Sequence, residues 1–221
     1  MKNKAFEDIV VALLSMRTAL TTHVTPSLRA VTVNLDMKTE LYICRFFYDG
    51  PIDDYLFEMA SCSACEASDW FCDWRCVRLD FPAIIPVNGF LAYLRKEPGM
   101  TPPKIQFLLG SFGTTNTGYL SYAMQQALLG RVVPSLRKVI VNVDEEKEIL
   151  YFYFYYDEEV TEELLALSKE AIAIAKKAFS ETFISVEEII FFPFPKRTPS
   201  IDGIGVYYRA ENMDLLIREE L

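Results

Sequence analysis

Apolar side chains recur in this chain at two spacings, and the change from one to the other marks out helices and strands. Near the start, Ile9, Leu13, Met16 and Leu20 follow at intervals of three to four, the spacing of a helix with one apolar stripe. They predict a helix over about residues 6–22, with Pro26 just beyond, where a helix cannot continue. The period then drops to two. Residues 30–35 and 41–48 read as strands joined by the turn Asp36-Met-Lys-Thr39, a hairpin that Asp49 closes. A second helix is expected over about 52–69, then strands over about 74–80 and 89–95.

The same pattern returns 108 residues later. Pro26-Ser-Leu-Arg-Ala-Val-Thr-Val-Asn-Leu-Asp36 recurs as Pro134-Ser-Leu-Arg-Lys-Val-Ile-Val-Asn-Val-Asp144, and 12 of 24 positions are identical across 26–49 and 134–157. Phe81-Pro82 returns as Phe192-Pro193, and Arg95 as Arg209. The second copy therefore predicts a helix over about 119–130, a hairpin of Lys138–Val143 and Ile149–Tyr156, a helix over about 160–178, and strands over about 185–192 and 203–209. In that last helix Thr161 suits the N-cap, Glu162 and Glu163 the first turn, and Lys176 the last, each matching the helix dipole. The proline- and glycine-rich stretches Glu97-Pro-Gly-Met-Thr-Pro-Pro103 and Gly110–Gly118 read as a linker. Repeat 1 is placed at 1–97, the linker at 98–117 and repeat 2 at 118–221. The fold class is α+β: two tandem α-β-β-α-β-β repeats, each a four-stranded, mostly antiparallel sheet with two helices on one face.

Alternation separates two faces of the central strand. In repeat 2, Leu150, Phe152 and Phe154 belong under the helices, while Ile149, Tyr151, Tyr153 and Tyr155 face the other way. The matching positions in repeat 1 are Leu41, Ile43, Arg45 and Phe47. A second face this apolar predicts cover. Repeat against repeat, as an internal pseudo-dimer, is the plainest cover; a docked protein is another, and solvent-facing tyrosines are the third reading.

Composition narrows the function. Of 221 residues, 51% are hydrophobic and 24% charged, enough for a core and unlike a disordered chain. The net charge of -9 opposes the phosphate backbone, so no nucleic-acid partner is expected. No apolar run approaches the ~20 residues of a membrane span, so no membrane partner is expected either. The five cysteines, all between Cys44 and Cys76, are odd in number and clustered, as in a cytoplasmic protein with reduced thiols. The charge is uneven: residues 1–110 carry 11 Lys/Arg against 13 Asp/Glu, and residues 111–221 carry 11 against 18. The acidic clusters of repeat 2, Asp144, Glu145 and Glu146, then Asp157, Glu158 and Glu159 with Glu162 and Glu163, could simply keep the protein soluble, or could steer a basic partner. With Tyr151, Tyr153 and Tyr155 they form the candidate partner-binding set.

Catalytic chemistry finds little purchase. Cys62-Ser-Ala-Cys65 lies well inside a helix rather than at its N-terminus, and Cys72 and Cys76 follow too closely for the usual zinc ribbon. The aligned positions in repeat 2 are Glu170, Ala173 and Ser180 for Cys62, Cys65 and Cys72, so small helix residues explain the thiols best. His23 is the single histidine and aligns with Arg131; Ser27 and Ser135 have no repeated histidine to activate them. Arg29 and Arg137 read as arginines that set the start of a strand by pairing with a carboxylate. No catalytic residue, metal ligand or cofactor is expected.

The succession of the first helix, Pro-Ser-Leu-Arg, the hairpin ending in Phe-x-Tyr-Asp, Leu79-Asp-Phe-Pro82 and Tyr93-Leu-Arg-Lys-Glu97 resembles small bacterial α/β proteins similar to bacteriocin or contact-dependent-inhibition immunity proteins. Each repeat covers one such unit, and repeat 2 departs from it at Phe191-Phe-Pro-Phe-Pro-Lys196. The resemblance implies binding of a toxin domain, often basic, by a protein that is often acidic. The expected function is that of a non-enzymatic, cytoplasmic, protein-binding, immunity-like protein. An enzyme or small-ligand protein with a pocket between the repeats is the alternative, and thiol sensing or metal binding by repeat 1 a third.

Overall fold

The computed structural model describes residues 2–36, 38–39, 41–67, 72–103, 117–179, 181–196 and 198–211. Helix α1 (Lys2–Ala19) passes into one 3-10 turn, Leu20–Thr22. Strands β1 (Leu28–Asp36) and β2 (Leu41–Tyr48) form the hairpin, followed by α2 (Asp54–Ala67), β3 (Cys72–Arg78) and β4 (Phe90–Leu94). The second copy repeats the order with α3 (Thr117–Ala127), β5 (Leu136–Asp144), β6 (Ile149–Tyr156), α4 (Glu162–Lys176), β7 (Ile184–Phe191) and β8 (Ile204–Tyr208). Two stretches expected from the sequence, the end of the second helix at 68–69 and linker residues 104–116, lie outside the described residues.

Each sheet has four strands, in the orders β3-β2-β1-β4 and β7-β6-β5-β8. The hairpins and the β1–β4 and β5–β8 pairs are antiparallel; β3 runs parallel to β2, and β7 to β6. The sheets are thus mixed. The reason lies in the connection: the second helix of each copy carries the chain back along the sheet, so the next strand starts at the same end as the last.

One face of each sheet packs under its two helices. Leu13, Met16 and Leu20 are buried there as their spacing predicts, against Tyr42, Cys44, Phe46 and Tyr48. In the second copy Leu150, Phe152, Phe154 and Tyr156 meet Leu164, Ala171, Ile172 and Ala175. Gly89 and Gly203, at equivalent places before β4 and β8, have φ of +110° and +145°. A Cβ there would stand 2.4 Å from the Val33 carbonyl oxygen or 2.6 Å from that of Val141. A side chain at either glycine would push the last strand off the sheet.

The two cores are continuous, because one cluster of buried side chains holds residues of both copies. Contact between the copies is reciprocal. Arg95, after β4, bridges to Val132, and Arg209, after β8, bridges to Val24. The Gly130 N–H donates to the Leu94 carbonyl at 2.7 Å, Lys96 N–H to Val132 at 2.7 Å, and Ala210 N–H to Val24 at 2.6 Å. The copies therefore meet through the ends of α1 and α3 and through β4 and β8. Cover of the second sheet face by the other copy was the plainest expectation; on the first copy Phe47 of that face packs with Leu129 of the second copy, whereas Tyr151 and Tyr153 take no part in these contacts. Helix ends carry unpaired backbone groups that a neighbouring strand can satisfy, and the pattern of one strand does not disclose that.

Candidate functional site

Three duplicated features converge at one end of each sheet. Leu28 pairs with Tyr48 and Ala30 with Phe47, which leaves Arg29 as the extra residue of a β-bulge; Arg137 sits in the same bulge between Leu136 and Lys138. A bulge turns a side chain away from the regular alternation. Arg29 grips Glu97 with two parallel hydrogen bonds, Nη2 to Oε2 being 2.7 Å, and donates to the carbonyls of Leu79 and Ala83. Arg137 does the same with Glu211, again 2.7 Å for Nη2 to Oε2, and with the Phe192 carbonyl. The guanidinium of Arg29 lies over the Phe81 ring at 5.9 Å, and that of Arg137 over Phe194 at 5.5 Å. Each ring precedes a cis proline, Pro82 and Pro195, so the structural counterpart of Phe81-Pro82 is Phe194-Pro195 and not Phe192-Pro193.

Asp49, the residue that closes the hairpin, accepts from the Phe81 N–H at 3.0 Å and from Arg95. Those two bonds hold its carboxyl below the usual carboxylate range, the backbone bond contributing most. Asp157 receives Arg209 in the same way. Both arginine clamps close on the protein's own chain, with 1% of the Arg29 side chain and 8% of Glu97 exposed. They position a loop and leave no open coordination for a substrate.

The candidate partner-binding residues fall into two groups at opposite ends of β6. At one end, Tyr151 and Tyr153 lie with parallel rings, 2° between planes and 6.4 Å between centroids. They line an open groove of about 540 Å³ with Asn142, Val143, Asp144, Glu145, Ile201 and Asp202. Pairing of β6 with β7 sets Glu188 opposite Tyr153. Partial burial and the Glu188 charge raise the Tyr153 phenol pKa, burial first. Asp144 is tied to Lys147 by its side chain at 2.7 Å and by the Lys147 N–H at 3.0 Å, which lowers its pKa. Glu146 is exposed in the same turn. At the other end, Glu158, Glu159, Glu162 and Glu163 are exposed around the start of α4, while Asp157 is committed to Arg209. Tyr155 is fully buried against Phe192. It supports the face and does not present itself to a partner.

Glu188 and Asp202 escaped the sequence reading. The alternation along β7 groups Glu188 with Val186 and Ile190, but only the strand pairing says that this set shares a face with the tyrosines. On the corresponding face of the first copy, Arg45 stands opposite Arg75, with Asp73 bonded to both, at 2.7 and 3.5 Å. The two faces have therefore diverged: one carries two arginines that share a single aspartate, the other is acidic and aromatic.

The remaining candidates are dispersed. All five cysteines are free, with Cys62 and Cys65 on α2, Cys72 and Cys76 on β3, and Cys44 buried on β2. Cys72 Sγ lies 3.9 Å from Cys44 Sγ, and burial pushes the Cys76 thiol up to about 11. Among the described residues no group of three or more His, Cys, Asp or Glu is arranged to hold a metal ion. His23 is spent on the Ala19 carbonyl at 2.7 Å. The cavity between the copies measures about 40 Å³, far below the several hundred Å³ of pockets that enclose a metabolite. Among the described residues no helix is long and apolar enough to cross a membrane.

A model of the MafI2 immunity protein family matches the chain twice, over residues 10–97 and 118–211. The two matches cover most of the sequence and coincide with its two copies. No curated protein matches the chain.

Proposed function

The chain belongs to the MafI2 immunity protein family, and from that premise we propose that it acts by binding and without catalysis: it neutralises a toxin in the cytoplasm by covering it with the acidic, tyrosine-lined face of its second copy. The family supports a protein toxin as the partner. The groove on the second sheet carries the choice of surface. Two stacked tyrosines supply rigid amphipathic contact area of the kind that dominates interfaces. Asp144, Glu145, Asp202 and Glu188 surround them and favour a basic patch on the toxin. The matching face of the first copy lacks that character. The free thiols suit a reducing compartment.

We place the units at 1–97 and 118–221, joined by a linker over 98–117; the family matches over 10–97 and 118–211 support that reading. The reciprocal bridges Arg95–Val132 and Val24–Arg209 support reading the pair as an internal pseudo-dimer.

Calorimetric titration of the full chain with a purified candidate toxin domain tests this function. Tyr153→Ala is expected to weaken binding at least ~10-fold, the size of a modest hot spot. Asp202→Asn with Glu188→Gln is expected to slow association and flatten its salt dependence. Unchanged affinity in both variants, with loss in Arg45→Ala, would move the site to the first copy and overturn the assignment.

A further inference from the structure

β7 (Ile184–Phe191) is the outer strand of the second sheet, and among the described residues no strand pairs with its outer edge. The direction of its backbone groups is fixed at both ends. The Ile184 N–H donates to the Glu148 carbonyl at 3.0 Å and the Phe192 N–H to that of Tyr156 at 2.7 Å, both toward β6. Backbone groups alternate in direction along a strand, so the N–H and C=O of Ser185, Glu187, Ile189 and Phe191 point away from the sheet.

Edges of this kind are normally blunted by lysine, proline, a bulge or short length. β7 has none of these. It runs eight residues in unbroken register with β6 and contains neither proline nor a basic residue. Ile184, Val186 and Phe191 are exposed along it. Its charges are Glu187 and Glu188, adjacent at its centre and both exposed. These two glutamates decide what can pair there. A second β7 laid along the first at full overlap sets Glu187 against Glu188 if antiparallel, and each against itself if parallel. Carboxylate faces carboxylate in either direction, which is destabilising. A strand with basic residues at those places is attracted instead. The corresponding edge of the first copy has the opposite sign. Arg75 of β3 stands opposite Arg45 where Glu188 stands opposite Tyr153, and Arg78 takes the register position of Phe191. β3 therefore repels the strand that β7 attracts.

We infer that β7 receives an extended segment of the toxin as a fifth strand of the second sheet, and that this segment carries two consecutive basic residues, one for each glutamate. Main-chain hydrogen bonds give such an addition its affinity, and the flanking side chains its choice of partner. Successive side chains lie on opposite faces, so the basic residue opposite Glu188 falls on the face of Tyr151 and Tyr153, and the one opposite Glu187 on the helix face. Ile184 and Val186 carry the tyrosine face out to the edge, so the added strand and the groove belong to one continuous surface. This mode of docking presupposes that the toxin meets the second copy, and adds a backbone contact to the side-chain contacts of the groove.

Amide hydrogen exchange of the full chain, read residue by residue by NMR with and without the purified candidate toxin domain, provides the test. In the complex the N–H groups of Glu187, Ile189 and Phe191 are expected to exchange at least ~10-fold more slowly. Those of Glu188 and Ile190, already directed at β6, are the internal reference. Glu187→Pro, which deletes an outward N–H and leaves the bonds to β6, is expected to weaken binding at least ~10-fold, and Glu187→Gln less. Unchanged exchange at the outward amides, in a complex that Tyr153→Ala weakens, overturns the added strand and keeps the groove. Slowed exchange with Tyr153→Ala silent keeps the added strand and removes the groove. Slowed exchange of the same amides in the concentrated chain alone assigns the edge to a second copy and overturns the toxin segment. Should Glu187→Pro fail to fold, exchange in the wild-type chain decides by itself.

Discussion

Arg29 and Arg137 show how much a single duplicated residue can carry. Each is buried, gripped along its Nε–Nη2 edge by one glutamate, and placed over a phenyl ring. Removing the arginine leaves a buried glutamate with only the longer contact of a second arginine, Arg95 at 3.4 Å from Glu97 or Arg209 at 3.2 Å from Glu211. Arg29→Ala is accordingly expected to cost about 3–5 kcal/mol, read from the urea midpoint. A loss under ~1 kcal/mol would mean that Arg95, already 3.4 Å from Glu97, takes over the carboxylate. That an arginine would meet a carboxylate was legible from Pro-Ser-Leu-Arg. That the carboxylate would be Glu97 was not, because 68 residues separate them and only the bulge aims the side chain.

Asp49 adds a pH dependence with a definite sign. Its folded-state pKa lies below the ordinary value, so its contribution is present above about pH 4 and lost as the pH falls through the folded value. Asp49→Asn should flatten the acid limb of the urea midpoint between pH 2 and 6. An unchanged acid limb would show that Asp49 is not the group responsible.

Among the elements, the central hairpins were the easiest to read. β2 and β6 occupy the residues their alternation predicts, since five or more β-branched and aromatic residues in period two admit no rival conformation. Helix α4 begins where its cap predicts: the Thr161 hydroxyl accepts from the Leu164 N–H at 3.3 Å. Thr161→Ala should cost ~1 kcal/mol in chemical unfolding, while Thr161→Ser should cost little. Equal losses in the two would assign the effect to packing of the methyl group.

The edge strands were harder. β3 and β7 were expected from pattern, but their parallel direction comes from the helix that delivers them, and no residue within them encodes it. The groove suffered from the same gap. Tyr151, Tyr153, Asp144 and Glu145 stood out on composition, whereas Glu188 and Asp202 join them through strand pairing and loop closure.

At the scale of the whole molecule, a shared core and reciprocal bridges bind the copies together. The wild-type chain should therefore unfold in a single cooperative transition. Residues 1–103 expressed alone should self-associate, because the surface that met the second copy can meet another first copy. Sedimentation equilibrium reads this directly; a monomer with the stability of the full chain would contradict it.

The sequence by itself determined the duplication, the element order, the inward faces and the family resemblance, all consequences of local periodicity and of identities at a constant offset. Tertiary structure decided the rest: the parallel edges, the bulges that aim the two arginines, the surface by which the copies meet and the burial of Tyr155. Those depend on which backbone groups and charges are brought together across the chain, and pairing between distant segments leaves no trace in the spacing of either one.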